Sequence, residues 1–257
     1  MESKEQNQPM SQRSANFFAE IQKNVVPRIE KSTISIVGIQ ENKIIHDRTG
    51  VLYSIAGEHF VLTAAHTLQR TVSYNIPLFL SVNTPHVLPF SLEHAKFHST
   101  EEEDRDVSVI WLPPEIGLEV SKHKIFLRHN QIDFEVNENK GLFMFFGYPL
   151  DWSAKLLSED TLLSTGIAFA GHPYSGEREP SAKYHPDVHM GLQFSREVIN
   201  LGNNKYEHLP HPKGISGCGI WQIGEKNYET KTISSRTADT ISLVGIWSAF
   251  QKLIQML

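Results

Sequence analysis

The stretch Gly50–His66, GVLYSIAGEHFVLTAAH, holds two apolar runs joined around Ala56, Gly57 and Glu58. Runs rich in Val, Leu, Tyr and Phe on either side of a short glycine-containing break read as a β-hairpin, because such side chains suit a pleated, half-buried surface. The same texture extends outward in both directions. Ser32–Gln40 (STISIVGIQ) precedes the hairpin; Ile76–Val82 (IPLFLSV), His86–Leu92 (HVLPFSL) and Asp106–Leu112 (DVSVIWL) follow it. A polar stretch near residues 128 to 138 interrupts the pattern, which then resumes in Gly141–Pro149 (GLFMFFGYP), Thr161–Gly171 (TLLSTGIAFAG), Asp187–Ser195 (DVHMGLQFS), Gly217–Gly224 (GCGIWQIG) and Ile241–Phe250 (ISLVGIWSAF). Many short strands with Gly, Pro, Asp and Asn between them, and little helix, predict an all-β barrel or sandwich.

Upstream of the strands, Ser14–Ile29 (SANFFAEIQKNVVPRI) spaces Phe17, Phe18, Ile21, Val25 and Val26 as one face of a helix, with Ser14 as N-cap. Such a face predicts packing on the protein's own body; a partner-binding helix is the alternative. Pro27 is expected to end or bend this helix. Residues 1 to about 12 read as a polar tail without an apolar signal core.

The bulk properties narrow the function. The chain has 257 residues, long enough for one large or two small β domains. Its net charge is −5, with no basic stripe, which argues against nucleic acid as a partner. No apolar run reaches membrane-span length, so no membrane is expected. A lone cysteine, Cys218, forbids an intrachain disulfide and fits a reducing, cytoplasmic compartment. Thirteen histidines include the close pairs His185/His189 and His208/His211, but neither pair has zinc-finger spacing, so no metal and no cofactor is expected. The acidic run Glu101–Asp106 reads as a solvated loop, except that Asp106 opens a strand and would become partly buried.

Three polar residues stand at strand edges among small or apolar neighbours: His66 closes FVLTAAH, Asp106 opens DVSVIWL, and Ser216 lies in GISGCG. Each alone has an ordinary explanation as a structural or turn residue. Together they supply a nucleophile, a base whose unperturbed pKa of about 6.5 lies near working pH, and an acid to fix the base's tautomer. The glycine-bent turn would aim the backbone N–H groups of Gly214 and Ser216 at a developing oxyanion.

FVLTAAHTL, DVSVIWL and GISGCG, in the chain order His, Asp, Ser, resemble the chymotrypsin/trypsin-like serine peptidases. In finer texture, FFGYPLD, DVHMGLQF and LPHPKGISGCGIW are similar to intracellular bacterial trypsin-like peptidase domains. The resemblance covers about residues 32 to 250. It implies two six-stranded Greek-key β-barrels, here 32–130 and 131–257, with an N-terminal tail and helix over 1–31 and a short C-terminal helix. It implies a serine endopeptidase that forms an acyl-enzyme, with His66 as general base, Asp106 as orienting acid (Asp104 is the fallback) and Ser216 as nucleophile. Gly214 and Ser216 would form the oxyanion hole, while His211, Lys213, Trp247 and Ser248 would line the substrate cleft. The implied partners are a polypeptide substrate and a regulatory protein. The alternative is a latent or inactive fold that binds a peptide or protein.

Three departures matter. Ile215 occupies the position where secreted members carry the aspartate that pairs with a newly freed N-terminus, so that form of activation is not expected. Cys218 replaces the second glycine after the serine and is expected to be a buried structural thiol. QKLIQML after Phe250 leaves open whether the wall of the specificity pocket is compressed or absent.

Overall fold

The hairpin read from Gly50–His66 is the centre of the larger sheet. Its strands are β2 (Lys43–Ile55) and β3 (Glu58–Thr63), paired antiparallel from Val51 opposite Leu62 to Ile55 opposite Glu58. Ala56 and Gly57, which connect them, take positive φ values of 54° and 84°. That is the backbone of the two-residue turn whose twist matches its flanking strands. The structure is a computed structural model that describes residues 19–41, 43–66, 68, 77–83, 86–90, 97–100, 106–133, 142–149, 155–158, 161–163, 165–173, 190–193, 197–200, 205–208, 214–223 and 241–246.

On one side β2 pairs with β1 (Thr33–Gln40), followed across the sheet by β4 (Leu78–Asn83), β5 (His86–Phe90), β10 (Thr161–Leu163) and β9 (Lys155–Ser158). On the other side β3 pairs with β7 (Val107–Leu112), which pairs with β6 (Phe97–Thr100) to complete a nine-stranded sheet. The second sheet has five strands, in the order β12 (Leu192–Gln193), β11 (Ile167–Pro173), β8 (Leu142–Gly147), β15 (Gly219–Ile223) and β16 (Ile241–Ile246). A separate hairpin joins β13 (Glu197–Asn200) to β14 (Lys205–His208). The described residues are therefore mostly β-sheet with few helices. No helix among them is long and apolar enough to cross a membrane.

Strand alternation explains how the two sheets share interiors. All six residues of β8 are buried, but they face two ways. Phe143 and Phe145 join a core with Ile167, Phe169, Leu192, Ile215, Cys218 and Ile220. Leu142, Met144 and Phe146 join another with Ile21, Val25, Ile29, Trp221 and Leu243. Side chains two apart share a face, so a continuous apolar run is what a strand covered on both sides requires. The nine-stranded sheet has its own core, which includes Ile34, Ile36, Leu52, Val61, Leu80 and Ile110. Each such fully buried aliphatic or aromatic side chain contributes about 1.5–3 kcal/mol relative to exposure.

The N-terminal helix comes in two pieces. Helical residues 19–24 (α1) are followed by a turn at Val25 and then by α2 (Val26–Lys31). The helical pattern thus breaks just ahead of Pro27, as expected. Pro27 sits in the first turn of α2, where no intrahelical partner for its missing N–H is needed. Ile21, Val25 and Ile29, four residues apart, are each 0–1% exposed and pack in the core around Met144 and Trp221. Ser14, Phe17 and Phe18 lie outside the described residues, as do residues 247–257, where the C-terminal helix was expected.

Other elements escaped the sequence pattern. TLLSTGIAFAG is two strands, β10 and β11, in different sheets. Between them a Cβ at Gly166 would overlap the ring of Phe146, so the missing side chain lets the chain pass that ring as it changes sheets. A helix, α3 (Pro114–Ser121), follows β7 despite its central glycine. Gly117 is needed there because a Cβ would stand 2.6–2.9 Å from atoms of the His59 side chain. β6, β9, β13 and β14, each of four residues, are too short to announce themselves by alternation.

Candidate active site

Strand register assembles the first half of the site. β3 and β7 pair antiparallel with Thr63 opposite Ser108. Residues just past the end of β3 therefore lie beside residues just before β7. Ala65 N–H donates to the Asp106 carbonyl at 3.3 Å. His66 N–H donates to Asp106 Oδ1 at 2.8 Å, and His66 Nδ1 is hydrogen-bonded to Asp106 Oδ2. A carboxylate only accepts, so Nδ1 carries the proton and the Nε2 lone pair is left available. Among the described residues Nε2 has no partner. The Asp106 side chain is 27% exposed and that of His66 45%, an arrangement with the carboxylate behind and the imidazole open to the surface.

The second half is the loop Gly214–Cys218, which leads into β15. Gly214 and Gly217 take φ values of +98° and +89°, a region that only glycine enters without strain. The Cys218 amide donates to the Ile215 carbonyl at 2.9 Å, which closes a tight turn around Ser216. Among the described residues the amides of Gly214, Ser216 and Gly217 have no acceptor, which suits donors kept for a ligand oxygen.

This loop is docked on the hairpin. Thr49 N–H donates to the Ser216 carbonyl at 3.2 Å, and Thr49 Oγ1 donates to the Gly214 carbonyl at 3.2 Å. Thr63 Oγ1 donates in turn to the Thr49 carbonyl at 2.8 Å. Gly217 lies so close to Thr49 and Thr63 that a Cβ would overlap the Thr49 carbonyl and the Thr63 hydroxyl and stand 3.0 Å from the Ala64 amide. The residue after Ser216 thus touches the segment that leads into His66. No hydrogen bond joins Ser216 Oγ to His66 Nε2 among the described residues.

Ile215 is fully buried against the Phe143 and Phe145 core, so an apolar plug stands where a carboxylate would have needed a charged partner. Cys218 is also fully buried, and burial pushes its thiol well above the ordinary range, which makes a thiolate nucleophile there unfavourable. His211, Lys213, Trp247, Ser248 and the fallback acid Asp104 lie outside the described residues. Thr49, Thr63 and the Tyr148 amide, which donates to Thr49 Oγ1 at 3.0 Å, were not anticipated from the sequence. Threonine is an ordinary strand residue, and nothing in DRTG or VLTA separates a docking hydroxyl from a pleat-filling one.

No protein-family model matches the chain, and no curated protein matches it. Among solved structures it is similar to the serine endoprotease of Yersinia pestis, at 11% identity and a TM-score of 0.42, over 78% of this chain. The chain spans about half, 53%, of that protein. It is also similar to a structure concerned with the coupled folding and binding of the intrinsically disordered Sesbania mosaic virus VPg protein. That match has 14% identity and a TM-score of 0.38, over 75% of this chain and 74% of that one.

Proposed function

We propose that this protein is a serine endopeptidase that works through an acyl-enzyme, on a fold of two Greek-key β-barrels. The observation that carries the reading is the grip of Asp106 on His66. One carboxylate oxygen meets the main chain and the other the ring Nδ1, which leaves Nε2 as an open base. The Ser216 loop packs against the same strand ends, and its Gly214, Ser216 and Gly217 amides have no acceptor among the described residues.

In this reading Ser216 Oγ attacks the scissile carbonyl carbon as its proton passes to His66 Nε2. The C–O bond forms, the carbonyl π pair moves to oxygen, and the Gly214 and Ser216 amides donate to that oxyanion. Collapse breaks the C–N bond, and the proton on Nε2 goes to the leaving amine. Water repeats the sequence on the ester: its proton goes to Nε2, the new C–O bond forms, and Ser216 regains its proton as the acid departs. Asp106 stays ionised throughout and stabilises the imidazolium.

The missing Ser216–His66 hydrogen bond favours the alternative, a latent or inactive fold that holds a peptide or protein. A fluorophosphonate probe separates the two. The wild-type chain is expected to take up one probe at Ser216. Ser216→Ala is expected to take up none and to lose peptide hydrolysis by roughly four to six orders of magnitude, with unchanged thermal stability. Folded wild-type protein that ignores the probe across pH 6 to 9 (about the range in which imidazole loses its proton) defeats the peptidase reading. Recovery of an intact partner, equally by wild type and Ser216→Ala, supports the alternative.

A further inference from the structure

The nucleophile loop needs something to hold its shape, and the charged anchor that its resemblance would call for is replaced by the buried Ile215. We propose that the Thr49 side chain is the positioning residue that sets the working shape of the Gly214–Cys218 loop; this rests on the peptidase reading above.

Thr49 and Thr63 are both fully buried, and the Thr49 hydroxyl both donates and accepts. It donates its only proton to the Gly214 carbonyl at 3.2 Å and accepts from the Tyr148 amide at 3.0 Å. These bonds reach residues 165 and 99 positions away in the chain. The hydroxyl therefore pins together β2, the residue after β8, and the loop. The three meet closely, because a Cβ at Gly147 would stand 2.9–3.1 Å from Ile215 and from Thr49 Oγ1. The main chain of Thr49 adds a second point, through its N–H on the Ser216 carbonyl. With both carbonyls drawn toward Thr49, the Gly214–Ile215 and Ser216–Gly217 peptide planes are fixed, one on each side of the plane that carries the Ser216 amide. The orientation of a peptide plane also decides where its N–H aims. A flip of the Gly214 carbonyl would turn the following amide, whose direction is coupled to the unpaired donors of the turn. Positioned donors account for a large share of the rate at such sites, so loss of this hold should appear in chemistry more than in binding.

The test compares Thr49→Val, which keeps the shape and removes the hydroxyl, with Thr49→Ser, which keeps the hydroxyl and removes a methyl. Three quantities are read on the full chain: the rate constant for fluorophosphonate labelling, the hydrogen exchange of the Cys218 amide, and the melting temperature. Thr49→Val is expected to label roughly thirtyfold more slowly, with the pH midpoint of labelling unmoved because His66 and Asp106 are untouched. Its Cys218 amide is expected to exchange about tenfold faster, as a local opening worth that factor would allow. Thr49→Ser is expected to stay within about threefold of wild type on both counts, since a donor and acceptor remain. A Thr49→Val protein that melts earlier yet labels and exchanges like Thr49→Ser overturns the proposal, because Thr49 would then be merely structural. Should wild type itself resist the probe, the peptidase reading fails, while the exchange comparison still decides whether Thr49 shapes the loop. Should Thr49→Val fail to fold, Thr49→Ala, which also lacks the hydroxyl and adds no bulk beside Gly147, takes its place, and Cys218 exchange there that matches Thr49→Ser overturns the claim.

Discussion

The two halves of the candidate site are held by different physics. His66 and Asp106 stand at the adjacent ends of paired strands, β3 and β7, and their alignment follows from an antiparallel register. The Ser216 loop has no ladder of its own to define it. Its shape comes from two left-handed glycines and from contacts with Thr49, far away in the sequence. The first half is thus a by-product of sheet formation, whereas the second depends on how one sheet meets another. Damage to the first should remove chemistry and leave the loop intact; damage to the second should reach both chemistry and stability.

The sharpest way to break that contrast is Asp106→Asn. The amide would present N–H to the ring, force the proton onto Nε2 and deprive it of basicity. Peptide hydrolysis is expected to fall by roughly 10⁴-fold near neutral pH, the cost of the wrong tautomer in such a triad. The Cys218 amide should exchange as in wild type. Faster exchange there would mean that the two halves are coupled, contrary to the division drawn above.

Gly217→Ala attacks the other half. The new methyl would overlap the Thr49 carbonyl and the Thr63 hydroxyl, and the residue would be held at a positive φ. A loss of about 2–4 kcal/mol in denaturant unfolding is expected, together with loss of probe labelling. The low-field proton of His66 Nδ1 should survive in the NMR spectrum of the folded variant. If it disappears, the loop supports the His66–Asp106 pair as well as Ser216.

The smallest effect is expected at Lys124, which touches neither half directly and reaches the second only through the Tyr148 hydroxyl, 3.5 Å from its Nζ. Lys124 is mostly buried, and burial lowers its ammonium below the ordinary lysine value of 10.5, partly offset by Glu30. Its Nζ donates to the Glu30 carbonyl at 3.1 Å. Because the folded state binds this proton less tightly than the unfolded chain, stability should rise as pH increases from the lowered value toward about 10.5. Lys124→Met should flatten that slope and change stability at pH 7 by under about 1 kcal/mol, measured by urea unfolding. Probe labelling should not change.

Legibility in the sequence followed the same divide. The hairpin around Ala56 and Gly57, and the strands Thr33–Gln40, Leu78–Asn83, Val107–Leu112 and Leu142–Gly147, were readable because each is a local alternation or apolar run. The positions of His66 and Asp106 at strand edges were readable for the same reason. Pro27 was legible too: the helical pattern is interrupted at Val25, just ahead of it, and Pro27 opens the next helix. The helix Pro114–Ser121 was hidden by Gly117, whose presence answers to the distant His59 side chain. The split of Thr161–Gly171 between sheets was hidden because Gly166 answers to Phe146.

The sequence by itself determined the β-rich class, the strand ends that carry His66 and Asp106, and the glycines that let the chain bend around Ser216. These depend on intrinsic backbone preference and on side chains a few positions apart. Only the tertiary structure decided that Thr49 would meet Gly214, Ser216 and Tyr148, that Gly217 would lie against Thr63, and that both faces of Leu142–Gly147 would be covered. Those pairings join residues with no local reason to be neighbours, and a hydroxyl buried by one sheet finds its acceptor only when the other arrives.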